Sequence, residues 1–312
     1  MKSDRNKTID LSVEAGREYL DRCVSVTAPA ALDDVLDKTI LGDSFEVLPL
    51  LPRGSVDLLI VDPPYNLDKS FGDSGFSRMT DKEYEAYTER WISLIKPLLK
   101  PDASVYVCCD WQSSLVIGPL LQRHFTVRSR ITWQREKGRG AKANWKNGME
   151  DIWFATCGKD YTFHVDAVMQ RRRVIAPYRD ENGAPKDWVD AADGAWRDTH
   201  PSNFWDDISV PYWSMPENTA HPTQKPEKLL AKLILASSDP GAVVLDPFAG
   251  SGSTAVTAKK LGRHCIGIEQ NPQYCVWAEL RLERAEADPT IQGYADGVFW
   301  ERNTAAMQKK HR

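Results

Sequence analysis

The 312-residue chain has no apolar run that approaches the roughly 20 residues needed to cross a membrane. Its polar first residues, 1–7, lead into no apolar segment of the kind that forms a signal peptide. We therefore expect a cytoplasmic protein that has no membrane partner.

Cysteine and histidine are scarce, with six of each in the chain. No Cys-x-x-Cys pair occurs and no histidine cluster lies beside a cysteine, while adjacent Cys108 and Cys109 fall within an apolar run. Buried free thiols therefore fit this pattern better than zinc ligands or disulfides. We expect no metal site.

The chain also lacks an excess of positive charge, because 40 Lys and Arg face 44 Asp and Glu for a net charge of −4. Many nucleic-acid-binding proteins are basic, so this balance weakly opposes nucleic-acid binding. It does not exclude it, since only the contacting face must be positive.

Predicted strands and helices alternate along most of the chain. Residues 56–61 form a nearly continuous apolar run that ends at two prolines, which indicates a buried strand. Thr80 and Glu83 have the spacing of a capping box, which predicts a helix that runs to about residue 99. Further strands are predicted at residues 104–109, 125–133, 151–155, 242–245 and 265–268, and further helices at residues 227–236, 253–261 and 272–287. This alternation indicates an α/β fold with a doubly wound, mostly parallel sheet.

Two regions carry little periodicity. Residues 1–38 are weakly patterned, with one plausible helix within residues 12–22. Residues 159–220 are rich in Trp, Pro, Asp and Arg, which predicts irregular, loop-rich structure. A tract of this kind inside a compact domain is usually functional or disordered.

A turn of small residues follows the predicted strand 242–245 and leads into a helix. It reads Asp246-Pro247-Phe248-Ala249-Gly250-Ser251-Gly252, and its glycines allow a ligand to approach the backbone closely. Glu269 ends the next strand about 20 residues later, the offset at which an acid binds ribose hydroxyls in dinucleotide sites. Because Gly-x-Gly-x-x-Gly is absent, a nucleoside without phosphates fits better than a dinucleotide.

Two further turns could carry chemistry. Asp62-Pro63-Pro64-Tyr65 places a carboxylate, a rigid backbone and an aromatic face at the end of a strand. His221-Pro222-Thr223-Gln224-Lys225-Pro226 is a polar turn that precedes a helix and presents Thr223 and Lys225. Taken alone, the first is equally a rigid structural turn and the second only a helix cap.

Together these segments resemble the DNA amino-methyltransferases, which modify N6 of adenine or N4 of cytosine. Residues 62–65 match the catalytic Asp-Pro-Pro-Tyr motif, residues 248–252 match the cofactor loop, and residues 221–226 match the turn before that loop. The catalytic motif precedes the cofactor loop, which is the permuted order of the beta class. The resemblance covers about residues 39–285.

The resemblance implies a site and a division of the chain. S-adenosylmethionine would lie over Phe248, Gly250, Ser251 and Gly252, with Glu269 on its ribose and Asp43 at its adenine end. The remaining residues assigned to cofactor binding are Asp62, His221, Thr223, Lys225 and Asp246. The implied units are an N-terminal extension (1–38), a catalytic half (39–158), a target-recognition region (159–220), a cofactor half (221–288) and a C-terminal tail (289–312). An antiparallel hairpin of strands 125–133 and 151–155 would lie at one edge of the sheet.

The implied reaction is methylation of an exocyclic amine without a metal or a covalent enzyme intermediate. The Asp62 carboxylate and the carbonyl of Pro63 or Pro64 would accept hydrogen bonds from the amine, and Tyr65 would stack on the base. The base must flip out of a duplex, unless the DNA is single-stranded. Asp at the first motif position favours adenine over cytosine. Methylation of RNA or of protein glutamine, and a cofactor-binding regulator without activity, are the alternatives.

A basic segment between the two hairpin strands is the candidate DNA contact. Its candidate residues are Arg135, Lys137, Arg139, Lys142, Asn144 and Lys146. Arg128 and Arg130 precede it on a strand and have a solvated face as their alternative role, and residues 171–173 form a second arginine cluster. The family also implies a homodimer and a cognate restriction endonuclease as candidate partners.

Overall fold

The computed structural model describes residues 5–71, 74–135, 143–174, 178–191, 194–304 and 308. The strands in this part of the chain, β1 to β15 in order, are Lys38–Leu41, Val56–Val61, Lys69–Phe71, Ser74–Phe76, Leu99–Cys109, Thr126–Gln134, Met149–Thr156, Gln170–Arg173, Val189–Ala191, Gly194–Thr199, Phe204–Trp205, Val243–Asp246, His264–Glu269, Tyr294–Ala295 and Val298–Trp300. The helices, α1 to α8, are Arg17–Leu20, Leu32–Val35, Ser44–Val47, Asp81–Ile95, Trp111–His124, Glu227–Ser237, Ser253–Lys260 and Pro272–Ala287. Short 3-10 turns occupy Leu48–Leu50, Lys96–Leu98 and Val165–Val168.

Eight strands form the central sheet, in the order β1-β13-β12-β2-β5-β7-β6-β11. The first five strands of this order, which are β1, β13, β12, β2 and β5, pair with their neighbours in parallel. Strand β7 pairs antiparallel with both β5 and β6. The predicted doubly wound, mostly parallel α/β sheet is confirmed.

Both faces of the sheet are covered, which explains the continuous apolar run of β2. Leu59 and Val61 face a core layer that includes α4 and α5, whereas Leu58 and Ile60 face a second layer that includes α6. Successive residues of a strand point to opposite faces, so a strand buried on both sides is apolar throughout. The capping box that starts α4 is present, with Thr80 accepting from the backbone of Glu83.

The antiparallel hairpin forms as expected but does not lie at the outermost position. Strand β11, only two residues long, pairs in parallel with β6 and occupies the edge. The hairpin therefore lies at this end of the sheet, with the two-residue β11 outside it. A two-residue strand has no periodicity that a sequence pattern could reveal.

The region 159–220 contains regular structure that the sequence did not indicate. Strands β8, β9 and β10 form a five-stranded sheet with β14 and β15, in the order β14-β15-β8-β10-β9. The C-terminal strands thus complete a sheet that begins more than 100 residues earlier, with Phe299 opposite Gln170.

The first described residues pack on helix α8. Helix α1 spans only four residues of the predicted helix at 12–22 and contacts α8. The backbone carbonyl of Leu11 accepts hydrogen bonds from Gln273 and Trp277 of α8. In the part of the chain that the structure describes, no helix is long and apolar enough to cross a membrane.

Candidate active site

One cavity of about 340 Å³ lies at the carboxyl ends of β1, β13, β12 and β2. Four acids line it, one from each of these strand ends: Asp43, Glu269, Asp246 and Asp62. In an open α/β sheet, this edge is where ligands bind. All predicted catalytic and cofactor residues line the cavity except Gly252.

The turn after β12 has the backbone that its glycines suggested. Gly250 and Gly252 adopt φ values of +52° and +75°, which disfavour any side chain. A Cβ at Gly252 would lie 2.6 Å from the Cβ of Ala278 in α8, so the turn can approach that helix only with glycine. A Cβ at Gly250 would lie 3.1 Å from Nε2 of His221. The turn therefore exposes its backbone to the cavity while it packs tightly underneath.

Glu269 and the turn at 221–226 border the same part of the cavity. The Glu269 carboxylate accepts hydrogen bonds of 2.8 Å from the amides of Gly250 and Asn271, and burial raises its pKa. The His221 ring packs edge-on against Tyr274 at 4.4 Å between centroids. Glu269 is thus held rigidly at the cavity wall, with further lone pairs free to accept from a bound hydroxyl.

Asp43 and Asp246 occupy different environments. Asp43 caps α3, where its Oδ1 accepts from the amide of Phe45 at 2.7 Å. Asp246 is buried and accepts from the amide of Phe248 at 3.1 Å. Burial raises the pKa of Asp246 to about 7, with further contributions from the charges of Asp62 and Glu269. The charged form of Asp246 therefore costs stability in the ligand-free protein.

We expect Asp246→Asn to flatten the pH dependence of stability. The raised pKa means that this group favours the folded state most below pH 4 and that the benefit is lost as pH rises through about 7. The shift corresponds to about 4 kcal/mol at 1.36 kcal/mol per pKa unit. Urea unfolding should therefore show that the free energy of unfolding of the variant, relative to that of the wild type, is higher at pH 8 than at pH 5. An equal change in the free energy of unfolding at both pH values would contradict the raised pKa of Asp246.

The ammonium of Lys225 holds the turn 62–65, which follows β2, and the sequence did not predict this contact. Lys225 Nζ donates to both Asp62 oxygens, at 2.8 and 2.7 Å, and to the Tyr65 hydroxyl at 3.0 Å. The Tyr65 hydroxyl in turn lies 2.9 Å from Asp62 Oδ1. The sequence predicts that Lys225 binds the cofactor, and in the structure its ammonium contacts Asp62, the carboxylate that is predicted to be catalytic. Burial raises the pKa of Tyr65 well above its ordinary value, so its hydroxyl keeps its proton.

The two proline carbonyls differ in what they contact. The hydroxyl of Tyr84, in α4, donates to the Pro64 carbonyl at 3.0 Å. Asn66 fixes the chain just beyond the turn, since its side chain exchanges two hydrogen bonds with the backbone of Met79. Tyr84 thus fills one of the two acceptor positions of the Pro64 carbonyl, whereas none of the hydrogen bonds between the described residues goes to the Pro63 carbonyl.

Glu150, on β7, is a site residue that the sequence analysis missed. Its Oε2 lies 3.3 Å from both the Tyr65 hydroxyl and Lys225 Nζ, and its other oxygen pairs with Arg135. Its side chain is only 5% exposed. An acid at the start of a predicted strand gave the only available signal, because its contact with Tyr65 spans 85 residues of sequence.

The basic segment is only partly described. Lys137, Arg139 and Lys142 lie outside the described residues. Asn144 and Lys146 are exposed, as is Trp145 between them, whose side chain is 93% exposed. Arg135 differs from these because it pairs with Glu150 beside the catalytic turn.

The other arginine candidates have partners within the protein. Arg128 lies over the ring of Tyr161 at 4.4 Å, and Arg130 lies 3.7 Å from Asp151. Arg171 pairs with Asp198 and Arg172 pairs with Asp206. These contacts fix four of the arginines to neighbouring strands and segments.

The fold is a doubly wound α/β sheet in which the turn 62–65 precedes the glycine turn 246–252 in sequence, and both turns line one cavity. The family model described as DNA methylase matches residues 56–280. The chain belongs to this DNA methylase family.

Individual relatives agree with this assignment. The chain is 36% identical over 256 residues to the DNA adenine methyltransferase YhdJ of Escherichia coli, covering 80% of this chain and 83% of the relative. It is 32% identical to the type II methyltransferase M.HpaI of Haemophilus parainfluenzae over 249 residues, covering 79% and 74% of the two chains. It is 31% identical to M.HinfI of Haemophilus influenzae over 292 residues, covering 83% and 71%.

Solved structures share the fold. The M1.HpyAVI–SAM complex superposes with a TM-score of 0.51 at 25% identity, covering 78% of this chain and 98% of that one. The cytosine-N4-specific PvuII DNA methyltransferase superposes with a TM-score of 0.59 at 18% identity, covering 78% and 85%.

Proposed function

We propose that this protein transfers a methyl group from S-adenosylmethionine to N6 of adenine in a short DNA sequence. The observation that carries the proposal is the cavity itself, where Asp62 and Pro63 share one space with the glycine turn and Glu269. Family membership supports DNA as the substrate. The adenine methyltransferase YhdJ, at 36% identity, and the Asp at the head of the catalytic turn support adenine over cytosine.

The residues around the cavity fit S-adenosylmethionine. The cavity volume falls in the range of small-molecule sites, about 300 to 1,000 Å³. Carboxylates at the strand ends suit a ligand that carries a sulfonium and an ammonium group. Glu269 would accept from the ribose hydroxyls, and Asp43 would bind the adenine end. The glycine backbone at 250–252 would lie against the ligand, beside Phe248, His221 and Thr223. When bound, the cofactor would supply an electrophilic methyl group; the target nitrogen would gain the methyl and release a proton to solvent, and S-adenosylhomocysteine would leave as the product.

Asp62 and Pro63 prepare the target amine. The lone pair of an exocyclic amine is delocalised into the base, so the amine is a poor nucleophile. Two acceptors on its hydrogens, the Asp62 carboxylate and the Pro63 carbonyl, would draw density toward the nitrogen and favour its pyramidal form. Tyr65 would orient the base while Lys225 fixes the tyrosine hydroxyl. These groups act by position and electrostatics.

The target base must leave the helix to reach this site. Asp62 lies in a cavity at the carboxyl ends of the sheet strands. A paired base inside a duplex presents its amine to the opposite DNA strand. We propose that the base flips out at a cost of a few kcal/mol, which single-stranded DNA would avoid.

The contacts that select the DNA sequence are proposed to come from outside the catalytic sheet. The region 159–220 shares one sheet with β14 and β15, so we extend the proposed target-recognition unit to the C-terminal residues. The basic segment at 135–146 would bind phosphates, with exposed Lys146 and Asn144 as described candidates. The halves 39–158 and 221–288 would carry catalysis and cofactor binding. We also propose that the protein forms a homodimer, acts alongside a cognate restriction endonuclease and is located in the cytoplasm.

A labelling assay tests this function. The protein is incubated with S-adenosylmethionine labelled in its methyl group and with defined duplexes, single strands, RNA and protein, and the modified base is then identified. We expect label at N6 of adenine within one short DNA sequence. Label at N4 of cytosine would overturn the choice of base, and label only in RNA or protein would overturn DNA as the substrate.

A further inference from the structure

Glu150 is a buried carboxylate that the proposed reaction does not yet use. It lies on β7, and 85 residues of sequence separate it from Tyr65. Only 4% of the residue is exposed, yet it contacts Tyr65, Lys225 and Arg135. Burial of a carboxylate costs several kcal/mol unless charges compensate it. Its position beside the catalytic turn therefore calls for a function.

Lys225 lies between two carboxylates. Its Nζ is 2.7 Å from Asp62 Oδ2 and 3.3 Å from Glu150 Oε2, and its side chain is only 7% exposed. Burial alone would lower the pKa of Lys225, but the charges of Asp62 and Glu150 raise it above the ordinary lysine value. The group is therefore an ammonium that two anions share.

The shared ammonium bears on how Asp62 can act. Asp62 Oδ1 accepts from both Lys225 and Tyr65 and Oδ2 accepts from Lys225, so the ammonium takes acceptor positions on both oxygens and withdraws charge from them, which makes Asp62 a weaker acceptor for a target amine. A second anion 3.3 Å away offers the ammonium another partner. A small movement of Nζ toward Glu150 would return one Asp62 oxygen to the amine without leaving a buried cation unpaired.

We propose that Glu150 is a positioning residue for methyl transfer, which draws the Lys225 ammonium off Asp62 when the target amine binds. This inference rests on the proposed acceptor role of Asp62. Arg135 holds Glu150 in place from the solvent side, through its pair with the other carboxylate oxygen. Tyr65 moves little in this exchange, because its hydroxyl contacts all three charged groups.

We expect Glu150→Gln to lower kcat about 10-fold, with the KM values for DNA and cofactor within two-fold of wild type. Glutamine keeps the size of the side chain but lacks the charge that attracts Lys225. Glu150→Asp keeps the charge and should retain a higher kcat than Glu150→Gln. Asp151→Asn is the matched control, because Asp151 is a buried acid on the same strand that bonds Thr132 and points to the opposite face.

A double-mutant cycle with Lys225→Met decides whether Glu150 acts through Lys225. In the Lys225→Met background, Glu150→Gln should change kcat by less than two-fold, since the ammonium is gone. A 10-fold loss in both backgrounds would overturn the inference, as would a wild-type kcat in Glu150→Gln alone. Thermal unfolding and cofactor affinity verify that each variant is folded. Turnover that persists in Asp62→Ala would instead overturn the acceptor role of Asp62, so the two failures are distinguishable.

Discussion

Asp62→Ala is expected to lower kcat at least about 1,000-fold while the dissociation constant for S-adenosylmethionine stays within a few-fold of wild type. Removal of one hydrogen-bonding group that acts on the reacting atoms costs about 10²- to 10³-fold in known enzymes. The loss here should be at the upper end or beyond it, because the variant also leaves Lys225 paired only with Glu150 beside the amine. Single-turnover methylation and cofactor titration measure the two quantities.

Asp57→Asn is a matched control for this experiment. Asp57 lies on the same strand at its opposite end, where it pairs with Lys100 at 2.6 Å and does not line the cavity. Its variant should methylate DNA at the wild-type rate once stability is accounted for. Turnover retained in Asp62→Ala would remove the carboxylate from the mechanism, whereas a large loss of cofactor affinity would make Asp62 chiefly a binding residue.

Asp207→Ala is expected to lower the free energy of unfolding by about 3 to 5 kcal/mol, the cost of breaking a buried ion pair. Asp207 contacts two lysines of α6, Lys228 and Lys232, each at 2.7 Å. Both lysines are almost fully buried, and burial lowers the pKa of Lys232 to about 8. Without Asp207, two ammonium groups would remain buried with no compensating anion between them.

The same cluster joins the eight-stranded sheet to the five-stranded sheet. Lys228 also donates to the carbonyl of Trp300 in β15, and Lys232 lies over the rings of Trp205 and Phe299. Urea unfolding measures the loss, and Asp206→Ala is the control because its carboxylate is partly exposed and pairs with Arg172 at the surface. A change below about 1 kcal/mol in Asp207→Ala would show that the cluster contributes little. A triple variant with Asp207→Leu, Lys228→Met and Lys232→Met should recover most of the stability, since no charge is left buried.

Local signals in the sequence predicted the central elements well. The apolar run of β2, the prolines that follow it and the capping box at Thr80 all specify structure through neighbours a few residues away. The sequence did not predict helix α5, because Gly118 and Pro119 interrupt its helical periodicity. Gly118 is required by packing, since a Cβ there would lie 2.5 Å from the Trp153 ring.

The second sheet could not be predicted for a different reason. Strands β8 to β10 are short and polar, and β8 pairs with β15, whose residues lie about 130 positions later. Such pairing gains its energy from contacts that are distant in sequence, so no local periodicity records it. The same holds for β11, whose two residues are fixed only by β6 beside them.

The sequence by itself determined the chemical groups of the site and the turns that carry them. Asp62 directly follows an apolar strand, Glu269 ends another, and the glycines at 250 and 252 lie in the turn after a third. Only the tertiary structure decided which groups meet. It places β2 beside β12, although 182 positions separate Val61 from Val243 in the chain, so that the turns 62–65 and 246–252 share one cavity. It also brings Lys225 onto Asp62 and Glu150 onto Lys225, because buried charges must find partners and those partners come from distant strands and turns.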